Sequence, residues 1–186
     1  MKTLYNFIIE PLNGVLYDNV KKIGDSDLIM SSSIENHEMT NRHAIVVSAP
    51  IYYDGPIKNG DTIIVHHNVF RKYYDAYGEE KYAAGLITDN KYSVEIGQIF
   101  LYKSEGDDWQ TFEPYCFVSP IANDDGMANV SEKELYGIME YTTPYIDSIG
   151  IKSGDRIAFR PDSEYEFNID GKKMYRVNSN NICLKI

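Results

Sequence analysis

The chain has 186 residues, 43% hydrophobic and 25% charged, enough apolar content for a packed core in one medium domain or two small ones. Eighteen basic against twenty-eight acidic residues leave a formal net charge of -10, which repels a phosphate backbone and argues against a nucleic-acid partner. No run approaches the roughly 18 apolar residues of a membrane helix. The first residues meet Pro11 too soon to resemble a secretory signal. Cys116 and Cys183 form neither a metal-ligand spacing nor a disulfide framework, so a reducing, cytoplasmic setting is the expectation.

In chain order, the first predicted strand is the apolar run Phe7 to Ile9, closed by Pro11, which cannot donate to a ladder. A polar, serine-rich stretch over 21–40 follows and carries one apolar island, Leu28-Ile29-Met30. Ala44 to Val47 reads as a strand. The turn dipeptide Gly60-Asp61 then leads into the β-branched strand Thr62 to Val65. Residues 71–82 insert four tyrosines, Tyr73, Tyr74, Tyr77 and Tyr82, and Lys91 to Leu101 closes the first half. The second half opens on Phe117-Val118, closed by Pro120. Ser131 to Tyr141 is a candidate short helix, with Ser131 as N-cap and Glu134 at its third position, although Gly137 favours a strand at its end. Gly154-Asp155 turns into Ile157 to Phe159. Tyr165, Phe167 and Ile169 alternate with polar residues before Asp170-Gly171, which predicts a hairpin with a primed turn.

These elements repeat. Residues 6–12 match 115–121 at an offset of 109, 57–65 match 151–159 at 94, and 91–101 match 174–184 at 83. Three blocks in the same order, separated by connections that shorten by 15 and then 11 residues, are the pattern of one fold encoded twice, because loops change length while core strands do not. The expected fold class is all-β: two small barrels, over 1–104 with long loop insertions and over 112–186, packed together as a rigid pair, with Trp109 where they meet.

Ala44-Ile45-Val46-Val47 leading to Ile57-Lys58-Asn59-Gly60-Asp61, and Gly137-Ile138-Met139 leading to Ile151-Lys152-Ser153-Gly154-Asp155, resemble the ten-kilodalton GroES-like co-chaperonin family. The closing run Asp170-Gly171 to Ile182-Cys183-Leu184 is similar to that family's last segment. Chains with two such units also occur in bacterial viruses, and this chain resembles them in its long first-unit insertion. The resemblance implies tandem barrels without catalytic residues or cofactor, assembling as a homo-oligomer that caps a chaperonin ring. The contact would be a mobile loop after the first strand, carried here by Leu28, Ile29 and Met30. Asp27 stands where the family usually has glycine, and the corresponding segment of the second copy, 123–130, has no aliphatic triplet. Three buried aliphatic side chains contribute roughly 5–9 kcal/mol gross, of which ordering the loop removes on the order of 2–5 kcal/mol. Single loops would bind weakly, and a ring of them well. The competing readings are an ordinary strand for Leu28-Ile29-Met30 and, for the whole chain, a structural or decoration protein of a bacteriophage particle. The location is then the host cytoplasm or the virion, with virion proteins as partners.

Chemistry is sparse. His66 and His67 end a strand, where neighbouring side chains face opposite ways and cannot share a metal, so no metal site is expected. His37 and His43 lack a ligand pattern, and the chain has no phosphate-binding glycine loop or nucleophile elbow. Asp107-Asp108 and Asp124-Asp125 read as solvated turns beside glycine. The tyrosine-rich insertion reads either as an interaction surface, since tyrosine joins a large area to a polar tip, or as an amphipathic segment packed on its own barrel.

Overall fold

The computed structural model describes residues 2–17, 20–23, 26–29, 40–123 and 132–186. The chain divides into two compact units, Met1–Asp108 and Trp109–Ile186. In the first, the strands are β1 (Phe7–Pro11), β2 (Val20–Ile23), β3 (Ser26–Ile29), β4 (His43–Ser48), β5 (Thr62–Val65), β6 (Lys72–Tyr74), β7 (Glu80–Tyr82), β8 (Leu86–Thr88), β9 (Lys91–Val94) and β10 (Ile99–Lys103). In the second they are β11 (Tyr115–Ala122), β12 (Glu132–Tyr141), β13 (Arg156–Phe159), β14 (Tyr165–Ile169), β15 (Lys172–Asn178) and β16 (Ile182–Lys185), with a short helix, α1 (Pro144–Ser148).

The protein is mostly β, and each unit is organised on one antiparallel six-stranded sheet. The first runs β8-β9-β1-β4-β5-β10 and the second β14-β15-β11-β12-β13-β16. These are the same sheet twice. Ile9 faces Val46 on one side and Tyr92 on the other, while Val118 faces Met139 and Tyr175. Ala44 opposite Ile63 corresponds to Gly137 opposite Ile157. A register shift falls between Ile8 and Ile9 in one unit and between Phe117 and Val118 in the other. Even the last strands agree: Ile99, Leu101 and Tyr102 pair with β5 as Ile182, Leu184 and Lys185 pair with β13.

The turns repeat with the strands. Gly60 and Gly154 have φ of 91° and 88°, a left-handed conformation that glycine enters at little cost. Each donates 2.8 Å to a strand carbonyl, Gly60 to Val46 and Gly154 to Met139. The carboxylates of Asp61 and Asp155 accept from the Lys58 and Lys152 amides, both at 2.7 Å. Buried equivalents fill both cores: Ile9 and Val118, Ile63 and Ile157, Val94 and Val177. Each such side chain contributes about 1.5–3 kcal/mol.

Some expectations fail locally. Ser131 to Tyr141 is not helical where described, since β12 runs from Glu132 to Tyr141. Gly137 lets it lie close to β11: a Cβ there would sit 3.0 Å from the Ser119 carbonyl oxygen and from Val118. Pro120 does not end its strand. β11 continues to Ala122 across a register shift, and such an irregularity tolerates a residue without an N–H. Among the described residues the α-helix is α1, where the Thr143 hydroxyl accepts from the Ile146 amide at 3.3 Å and Pro144 occupies the first turn. The 165–178 hairpin matches its prediction. Asp170 and Gly171 both have positive φ, 50° and 79°, Phe167 and Ile169 are buried, and Glu166 and Asn168 are exposed. Trp109 belongs to the second unit, where it is buried and donates its indole N–H to Asp170 Oδ2 at 2.7 Å.

Candidate functional site

Two hairpins leave the first sheet, and they share a root. The first lies between β1 and β4. Its base is closed by a bridge between Tyr17 and Thr40 and by Asn41, whose amide donates to Leu16 O at 2.9 Å. Inside it β2 and β3 pair as a separate two-stranded sheet, with Lys21 opposite Leu28 and Val20 opposite Ile29. Leu28 and Ile29 thus lie in paired strand backbone rather than in the six-stranded sheet. Met30 lies outside the described residues, as do His37 and the 124–130 part of the equivalent second-unit segment.

The second hairpin holds the tyrosines. β6 and β7 pair Lys72 with Tyr82, Tyr73 with Lys81 and Tyr74 with Glu80. Asp75 builds the turn, its Oδ1 accepting from the amides of Tyr77 at 2.9 Å and Glu79 at 3.0 Å. Those amides, Glu79's first, and Lys81 hold the Asp75 carboxyl below the usual aspartate range. Lys72 lies 2.9 Å from Glu80 and 4.9 Å from the centre of the Tyr82 ring, and Lys81 lies 2.7 Å from Glu79. The Lys72–Glu80 hydrogen bond raises the lysine's pKa and lowers the glutamate's. The base is tied down where the Lys72 amide donates to Tyr17 Oη at 2.8 Å, so Tyr17 anchors both hairpins.

Tyr73, Tyr74, Tyr77 and Tyr82 expose 41%, 53%, 92% and 42% of their surface, so each ring offers area to solvent, Tyr77 almost all of it. Lys72 is paired with Glu80, and Lys81 with Asp75 and Glu79. The hairpin therefore presents aromatic area with little unpaired charge to desolvate, the quality a docking surface needs. Beneath it opens a cleft of about 520 Å³ lined by Arg71 and Tyr73 on the hairpin side and by Asn6, Ser93, Glu95 and Gln98 on the sheet side.

Sequence reasoning missed another exposed group. Leu4, Tyr5, Ile51 and Tyr52 are all largely exposed, and the Ile51 amide donates to Thr3 O at 2.9 Å. The Tyr5 and Tyr52 rings stack at 5.6 Å and 24°. Nothing local marks this pair, because the sheet brings together residues far apart in sequence.

The histidines are arranged otherwise than strand alternation predicts. β5 ends at Val65, His66 caps a 3₁₀ turn over His67–Val69, and the two rings lie on the same side, 4.2 Å apart. His66 Nδ1 accepts from the Asn68 amide at 3.1 Å. Among the described residues no group of three or more His, Cys, Asp or Glu is placed to hold a metal ion. Burial, with the Glu113 charge nearby, pushes the Cys116 thiol up to about 12, which keeps it protonated and unreactive. No helix of the described residues is long and apolar enough to cross a membrane. No protein-family model matches the chain, and no curated protein does either.

Proposed function

We propose that the chain is a non-enzymatic, co-chaperonin-like binding module: two GroES-like small barrels that contact a chaperonin ring through the hairpin bearing Leu28 and Ile29, with Met30 beside them. The observation that carries this reading is the position of that hairpin. It interrupts a twice-used six-stranded sheet between its first and second core strands, where the GroES-like resemblance puts the chaperonin contact. One such contact is weak, since pairing two or three aliphatic side chains barely exceeds the ordering cost, so the module would act as a ring of copies in the host cytoplasm.

Size-exclusion chromatography with light scattering, on the chain alone and with a chaperonin and nucleotide, tests this. The wild-type chain co-elutes with the chaperonin, and the Leu28→Asp, Ile29→Asp variant keeps its circular dichroism but elutes alone. Retention of the variant on the chaperonin refutes the hairpin contact. Absence of wild-type co-elution refutes the chaperonin.

A second reading, an assembly or decoration unit of a bacteriophage particle, draws on the tyrosine hairpin. Its anchored base, paired charges and exposed rings suit a lasting contact with virion proteins. It predicts co-sedimentation with particles, lost on Tyr74→Ser, Tyr77→Ser substitution.

A further inference from the structure

We propose that the cleft at the foot of the tyrosine hairpin binds a neutral, polyhydroxylated ligand, a saccharide of one or two rings. Its volume of about 520 Å³ falls in the range of small-molecule sites. Charge narrows the ligand first. Arg71 and Glu95 contribute one charge of each sign, so the lining has no net charge, and a chain carrying -10 overall repels nucleotides and other anions at longer range. Besides the Tyr73 ring, the apolar side chains of the lining are Val69 and the small Ala83 and Ala84, and polar groups share the wall with them, which favours a ligand with polar edges over a hydrocarbon.

What remains is hydroxyl-matching chemistry. Asn6, Asn68 and Gln98 line the cleft with carboxamides, each offering a donor and an acceptor, as adjacent sugar hydroxyls do. Two of them are held in place: Asn6 Nδ2 donates to Ser93 Oγ at 3.0 Å, and Gln98 Oε1 accepts from the Glu95 amide at 3.4 Å, leaving its NH₂ for a ligand. Tyr73, partly exposed at the rim, supplies a ring on which the C–H face of a pyranose can lie. The wall is close because residue 85 is glycine. The Ser93 amide donates to Gly85 O at 2.7 Å, and a Cβ on residue 85 would stand 2.6 Å from the Ser93 carbonyl oxygen.

This site stands on the first unit alone and does not depend on a chaperonin or a particle. The test uses the full chain with maltose, lactose, cellobiose and diacetylchitobiose in large excess, read by saturation-transfer NMR and by amide shift mapping. At least one sugar receives saturation, and shifts centre on Asn6, Asn68, Ser93 and Gln98. The Asn68→Ala, Tyr73→Ala variant, at two exposed positions, weakens binding about tenfold with unchanged circular dichroism. The proposal is overturned if none of the four sugars binds, if shifts fall elsewhere, or if the variant binds equally. Adenosine monophosphate or decanoate binding in their place overturns it too.

Discussion

The last strand of each unit holds the same register against its neighbour, yet the two differ sharply in what they show to solvent. Ile99, Phe100 and Leu101 of β10 are 0–1% exposed, whereas Leu184 of β16 is 60% exposed and Ile186, just beyond it, 63%. Register is set by ladder hydrogen bonds and by the turn that precedes each strand, and both units share these: a 3₁₀ turn over Ile96–Gln98 in one and over Ser179–Asn181 in the other. Burial depends instead on what covers the outer face, and that is not part of the repeated pattern. Two copies of one backbone can therefore carry different surfaces, one closed and one open.

The largest effect expected from this comparison is on stability. Leu101→Ala, in a fully buried position, costs about 2–5 kcal/mol in urea unfolding. Leu184→Ala, at the matching position of β16, stays within about 0.5 kcal/mol. Equal costs would mean that the two strands have the same environment in solution.

A smaller asymmetry lies one strand further in. Ala44 and Gly137 occupy equivalent places, but a methyl group at 137 meets Val118 and the Ser119 carbonyl oxygen at 3.0 Å. Gly137→Ala is expected to destabilise by about 1–3 kcal/mol through overpacking, although the first unit carries alanine there natively. A neutral or stabilising result would show that β11 and β12 lie further apart than described.

The smallest effect separates the two turn carboxylates. Asp61 is buried and accepts from the Ser104 hydroxyl at 2.8 Å, while Asp155 pairs with Lys185 at 2.6 Å. Lys185, and then the Lys152 amide, hold the Asp155 pKa below its ordinary value. A carboxyl whose folded pKa is depressed stabilises above its unfolded pKa, about 4, and that contribution fades as pH falls through the lower folded value. Asp155→Asn should therefore flatten the acid limb of a thermal-midpoint profile below about pH 4. An unchanged limb would mean that the pair carries nothing.

Much of this architecture could be read from residue order. The three repeated blocks carried the register because β-branched and aromatic residues on a two-residue period face the core, as at Tyr92 and Val94 or Tyr175 and Val177. The Asp170-Gly171 turn was legible because few residues other than glycine, asparagine and aspartate take positive φ. Other features were hidden for physical reasons. The Tyr5–Tyr52 stack needs the folded sheet to bring its halves together. His66 and His67 share a side because the strand stops at Val65 and the chain enters a 3₁₀ turn at His67. Helix α1 was signalled by Thr143-Pro144, but five residues are too short for a visible apolar period. As for the candidate surfaces, the four tyrosines were legible as a cluster. Their exposure depended on charge pairing and on the Tyr17 anchor, which no local pattern reveals.

Amide hydrogen exchange, resolved by residue, bears most directly on the claim that one sheet is built twice. Three amides of the first unit, Val46 to Asp61 O, Gly60 to Val46 O and His66 to Gln98 O, have counterparts in Met139 to Asp155 O, Gly154 to Met139 O and Arg160 to Asn181 O, with each pair of lengths equal at 2.8 or 2.9 Å. All six should be slow to exchange, member by member across the two units. Protection of one set beside free exchange of the other would contradict the duplicated architecture on which the rest is built.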